Sequence, residues 1–152
     1  MTNKALKETL YNNCKEFIEK KLQTIENAIK SNQEDLNSET KSSAGDKHET
    51  GRAMLQLEME KSGQQLKEVQ EMKLLLERVN MEENSEVIRL GSVVKTNFAN
   101  YFIAISSGKI SFEGEDYYAI SPSAPIGKQL LGKKNKEKFM FQGRNFSIES
   151  LF

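Results

Sequence analysis

The sequence predicts an α+β fold: an N-terminal antiparallel hairpin of two long helices packed as a coiled coil, then a small antiparallel β domain with one short helix. Three observations predict it. Two apolar stripes with the same helical step flank one polar connection. After Asn80 the apolar period changes from three or four residues to two. The aromatic residues are concentrated in the C-terminal half, and the chain has no Trp. The implied division is a hairpin over 1–80 with its tip at about 42–50, a linker at 81–86, and a β domain over 87–152.

From Lys4 onward, Leu6, Leu10, Cys14, Ile18, Leu22, Ile25, Ile29 and Leu36 form one stripe, widened by Phe17 and Ala28. The polar run Ser42-Ser43-Ala44-Gly45-Asp46-Lys47-His48-Glu49-Thr50 reads as the connecting loop. A second helix is expected from Glu49 to Val79, roughly 45 Å long at about 1.5 Å per residue. Its stripe is Leu55, Met59, Ser62, Leu66, Val69, Met72, Leu76 and Val79. Neither stripe can be buried by its own helix, so the two are expected to pair. Gly63 lies inside the second helix and marks a local soft spot, since glycine there costs about 1 kcal/mol relative to alanine.

The polar segment Asn80-Met81-Glu82-Glu83-Asn84-Ser85 is the linker. Strands are predicted over Val87–Thr96, Tyr101–Ser106, Tyr117–Ser121, Lys138–Gln142 and Asn145–Leu151. Turn signals separate most of them: Asn97 to Asn100, Ser107-Gly108, Glu113-Gly114-Glu115 and Gly143-Arg144. A short helix is predicted over Pro125–Leu131, capped by Ser123 or Ala124, with Pro125 at its first position. Phe139, Phe141, Phe146, Ile148 and Leu151 are expected to face the core.

Composition excludes several classes of function. Twenty-two basic and twenty-two acidic side chains leave no net charge, which argues against nucleic-acid binding by bulk electrostatics. The one cysteine, Cys14, can form neither an internal disulfide nor a zinc cluster, and a reducing cytoplasm is the expected setting. No stretch approaches the ~20 apolar residues needed to cross a bilayer. Asn145-Phe146-Ser147 matches a glycosylation acceptor, but no secretory signal gives it meaning.

The candidate chemistry lies at the tip, where Asp46 and Glu49 bring two carboxylates together. The same spacing is a capping-box-like start for the second helix, and the two roles are compatible. Two carboxylates on a solvated loop hold magnesium poorly unless other ligands are supplied. His48 between them reads first as a solvated loop histidine. Cys14 reads as packing on the helix stripe, because the chain has no second histidine to activate it. Lys128, Lys133, Lys134, Lys136, Lys138 and Arg144 gather positive charge in the C-terminal domain, as a solvated face or as a contact for an acidic surface. Along the first helix, Lys15, Lys20, Lys21, Lys30 and Lys41 alternate with Glu16, Glu19 and Glu26, as on a salt-bridged surface.

Three segments resemble the bacterial Gre transcript-cleavage factors. The run from Ile120-Ser121-Pro122-Ser123-Ala124-Pro125-Ile126-Gly127 to Leu130-Leu131-Gly132-Lys133 is similar to that family's Ile-Ser, Ser-Pro, helix, Leu-Leu-Gly-Lys signature. Arg89-Leu90-Gly91-Ser92-Val93-Val94 is similar to the strand that opens the same domain. Gly45, Asp46 and Glu49 keep the spacing of its Gly-Asp-x-x-Glu-Asn tip. Three positions depart from the pattern. Thr50 stands in place of Asn, Gly51-Arg52-Ala53-Met54 lacks the aromatic residue, and Ala124 replaces the serine before Pro125.

The resemblance implies an FKBP-like C-terminal domain that docks at the rim of the RNA polymerase secondary channel through Ser121, Ser123, Pro125 and Ile126. It implies a hairpin that carries Asp46 and Glu49 to the polymerase active centre, where they share its magnesium ion during cleavage of backtracked RNA. Beside a polymerase-bound magnesium, the two carboxylates complete the shell of a second ion, which lowers the pKa of the attacking water. On this reading the chain is not itself an enzyme and holds no cofactor alone. It is a monomer that meets nascent RNA and DNA only through the elongation complex. The competing readings are a channel-binding regulator without cleavage activity, a peptidyl-prolyl isomerase with a helical arm, and a self-associating adaptor.

Overall fold

The computed structural model describes residues 3–41, 45–81 and 84–152, without the side chains of 39–49. The chain is α+β, with two long helices followed by a six-stranded mixed sheet and one short helix. Helix α1 spans Asn3–Lys41 and α2 spans Gly45–Glu77. The chain divides into two compact units. One comprises residues 1–17 and 74–152, the other residues 18–73. The first turns of α1 and the last turn of α2 thus belong to the same unit as the sheet.

In the helical unit the predicted stripes are the covered ones. Ile18, Ile25, Ser62 and Val69 are buried, and Leu22, Ala28, Ile29, Leu36, Leu55, Met59, Leu66 and Met72 are half-buried. Lys21, Thr24 and Ile25 line one groove together with Gln65, Glu68, Val69 and Met72, so the two helices lie side by side as a hairpin. Apolar residues three and four apart form a ridge on each helix, and burying both ridges holds the pair together. α2 runs through Gly63 without a break. A Cβ on Gly63 would meet no atom within 4 Å, so packing does not require glycine there.

In the other unit the strands are β1 Val93–Thr96, β2 Asn100–Ile103, β3 Gly108–Phe112, β4 Glu115–Ile120, β5 Lys138–Phe141 and β6 Arg144–Leu151. Their order across the sheet is β3-β4-β2-β1-β6-β5. The predicted all-antiparallel sheet is thus corrected, because β2 and β4 pair in parallel, with Asn100 opposite Tyr117 and Ile103 opposite Ile120. β3 is a strand the sequence does not announce; it forms by pairing with β4 from Gly108↔Ala119 to Phe112↔Glu115. The first strand is shorter than Val87–Thr96. Val87 makes only an isolated bridge to Lys134, and a turn at Arg89–Ser92 precedes β1, closed by the Ser92 amide donating to the Arg89 carbonyl at 2.9 Å. Gly91 takes φ +93 in that turn, a conformation that glycine adopts without steric cost.

Two hairpins have two-residue loops. Glu113 and Gly114 have φ 51 and 82, and Gln142 and Gly143 have φ 50 and 75. Positive φ at both loop positions is the type I′ pattern, whose twist matches that of the flanking strands. Helix α3, Pro125–Leu130, follows β4, with Ala124 at its N-cap and no side-chain cap bond.

Alternation along the strands sends two sets of side chains to opposite faces of the sheet. On one face Ile88, Val94, Ile103, Leu130 and Ile148 form a buried cluster, with Tyr101, Ile120, Ile126, Phe139 and Leu151 packed around it. α3 thus supplies Ile126 and Leu130 to this core. The other set includes the buried Val93, Phe102, Ile110, Tyr117 and Ala119. Residues 3–17 of α1 meet that side: Leu6 lines a cleft with Tyr117, and the Cys14 Sγ lies 3.6 Å from the Ser107 Oγ.

Candidate functional site

Of the two predicted catalytic residues, Asp46 lies in the first turn of α2 and Glu49 is the helix's fifth residue, at the start of the next turn. The sequence predicts the helix from Glu49, and this corrects the reading of 45–48 as loop, because α2 begins at Gly45 and both positions belong to the helix. Negative charge in a first helical turn faces the positive end of the backbone dipole. The side chains of Asp46, His48 and Glu49, and so their proposed sharing of a magnesium ion, lie outside the described residues. Among the described residues, no group of three or more His, Cys, Asp or Glu side chains could hold a metal ion.

The predicted docking segment is a built turn. The Ser121 amide donates to the Ser106 Oγ at 3.0 Å. The Ser121 hydroxyl accepts the Ser123 amide at 3.1 Å and lies 2.8 Å from the Ser123 hydroxyl. The Ala124 amide donates to the Ser121 carbonyl at 3.1 Å, and the Lys128 amide to the Ala124 carbonyl at 2.9 Å. Pro125 enters the helix at a position where its missing N–H would have had no helical partner. Gly127 is buried against this turn, and a Cβ there would lie 2.2 Å from the Ser121 carbonyl oxygen. The four predicted residues therefore divide by role. Ser123 and Pro125 are exposed, Ser121 is half-buried and bonded within the turn, and Ile126 packs on the core.

A third feature has no counterpart in the sequence reading. A cleft of about 610 Å³ is lined by Leu6, Phe112, Tyr117 and Phe152 together with Asn3, Lys95, Glu113, Glu115 and Ser150. Within it the Lys95 Nζ and the Tyr117 hydroxyl both donate to Glu115 Oε2 at 2.9 Å. The bonds from Lys95 and Tyr117 hold the Glu115 carboxyl below its ordinary value. The bond to Glu115 raises the Lys95 ammonium. Burial, and then the bond to Glu115, raise the Tyr117 phenol. These shifts move all three groups away from neutrality, which suits a fixed charge network and not proton transfer near pH 7. Glu115 and Tyr117 stand two residues apart on β4, and Lys95 comes from β1, brought beside them across β2 by the pairings Lys95↔Asn100 and Asn100↔Tyr117. Sequence spacing carries no sign of that proximity.

Cys14 is buried, and burial raises its thiol, with bonds from Ser107 and the Ile105 backbone acting in opposition. That suits a packed thiol rather than a nucleophile. Among the described residues no helix is long and apolar enough to cross a membrane. Compared with known proteins, no family model matches the chain, and a search of curated proteins finds no match.

Proposed function

We propose that the chain is a Gre-type accessory factor of RNA polymerase, which brings Asp46 and Glu49 to the polymerase's own magnesium site and stimulates cleavage of backtracked RNA. The observation that carries this reading is the collinear order of the three motifs: acidic pair, domain-opening strand and Ser-Pro helix segment. The architecture supports it. The acidic positions fall at the start of α2, and the Ser-Pro segment is a hydrogen-bonded turn with Ser123 and Pro125 exposed.

On this reading the polymerase supplies magnesium and most of its ligands. The two carboxylates add charge where a second ion and the attacking water are held, and that charge stabilises in-line displacement at phosphorus. Channel binding without cleavage is the second reading. It is favoured by Thr50 in place of Asn and by the missing aromatic residue in Gly51-Arg52-Ala53-Met54.

Stalled, backtracked elongation complexes test both. Wild-type protein shortens the transcript in the presence of magnesium, and the Asp46→Asn, Glu49→Gln double variant binds core polymerase equally but does not. A charge near a helix N-terminus contributes at most about 0.3–1 kcal/mol to the helix, so the variant stays folded. Cleavage at the wild-type rate by the double variant refutes the catalytic role. Binding without cleavage by the wild type establishes the second reading.

A further inference from the structure

The sheet ends at β5, which has no strand on its outer side among the described residues. Phe141 and Arg144 close the two-residue hairpin as a hydrogen-bonded pair, so Phe139 and Phe141 direct their backbone groups to β6. Lys138 and Met140, which alternate with them, turn N–H and C=O outward. Both residues are exposed, and Met140 is 66% exposed. An open edge of this kind is a template for an extended chain.

The charge around that edge selects the chain it would take. Between residues 128 and 144 stand Lys128, Lys133, Lys134, Lys136, Lys138 and Arg144 against the single acidic Glu137, in a protein of no net charge. Glu137 is occupied in accepting the Lys134 amide. Two of the cations are held on rings: the Lys133 Nζ lies 5.1 Å from the Phe139 centroid and the Arg144 guanidinium 5.4 Å from that of Phe98. Phe98 is itself 49% exposed and packs at 4.8 Å on Phe146. The opposite edge, β3, lacks this excess, since its Lys109 lies 3.9 Å from Asp116.

We propose that the open edge of β5 takes an acidic, extended segment of a protein partner as an added strand. The Lys138 and Met140 backbone groups supply the pairing. Lys133, Lys134, Lys136, Lys138 and Arg144 supply the preference for acidic side chains. Met140 offers apolar contact for alternate residues. This inference stands apart from the polymerase reading, and its test contains no polymerase.

The probe is a short fluorescent peptide alternating Glu with Val, titrated against the full chain. Two controls accompany it: a version of equal charge with proline at the pairing positions, and an oligothymidine of similar charge. The alternating peptide is expected to bind and to slow hydrogen exchange at the Met140 amide while leaving the Phe139 amide unchanged. Proline in the peptide is expected to weaken binding by at least about tenfold, as loss of paired backbone groups demands. Met140→Pro removes the outward N–H without removing a bond to β6 and is expected to weaken it similarly. Lys136→Glu with Lys138→Glu is expected to weaken it about tenfold at low salt. Equal binding of the proline peptide, tighter binding of the oligothymidine, or no change in Met140 exchange overturns the proposal. The exchange measurement uses the wild-type chain, so the result does not depend on any variant folding.

Discussion

Gly127 is held by a single close approach. A methyl group there would overlap the Ser121 carbonyl oxygen, which is backbone and cannot rotate away. Gly127→Ala is therefore expected to lower stability by about 1–3 kcal/mol, read as a fall in melting temperature, and to weaken any contact made through Ser123 and Pro125. Glu115 gives a second residue-level expectation, this one dependent on pH. Its folded pKa lies below the ordinary value of 4.5, so its contribution to stability is present above that value. That contribution is lost as pH falls through the lower folded value. Glu115→Gln should lower the melting temperature at pH 7, and the difference from wild type should vanish on acidification past that window. A difference that persists unchanged at low pH would show that the Lys95 and Tyr117 bonds to the carboxylate are not its source.

At the scale of the element, Gly63 is the simplest test. It is exposed within α2, has open space where a Cβ would go, and loses backbone entropy when the helix forms. Gly63→Ala should stabilise the protein by about 0.5–1 kcal/mol in thermal unfolding. Both helices were legible because three- and four-residue steps of Leu, Ile, Val and Met admit only one surface to bury, and those positions are the covered ones. The tip was less legible, since its polar composition reads as loop although the backbone is helical from Gly45. β3 escaped notice because Gly108-Lys109-Ile110-Ser111-Phe112 carries only two apolar residues, flanked by glycine-containing turns. Its strand character comes from pairing with β4, which lies outside its own sequence. The parallel pairing of β2 with β4 was unreadable for a related reason, because a period of two is the same in parallel and antiparallel strands.

For the whole molecule, the grouping of residues 1–17 with 74–152 predicts how fragments behave. Leu6, Leu10 and Cys14 are buried, and this part of α1 meets the β2–β3 connection at Ser107 and the sheet in the cleft beside Tyr117. A fragment of residues 84–152 should therefore expose the sheet face that carries Val93, Phe102 and Tyr117. It is expected to bind a hydrophobic dye and to melt below the full chain. Leu10→Ala in the full chain should cost about 2–5 kcal/mol. A fragment as stable as the intact protein would show that the sheet does not need the first turns of α1.

The position of β6 bears on how the protein emerges from the ribosome. The last strand in sequence lies inside the sheet, between β1 and β5, and Phe152 exchanges backbone bonds with Val93 in both directions. While that strand is still in the exit tunnel, β1 has an open side and β5 has no neighbour, so the sheet cannot be finished as its strands appear. Closure awaits the emergence of residues 144–152, and until then the nascent chain shows the sticky edges that chaperones shield.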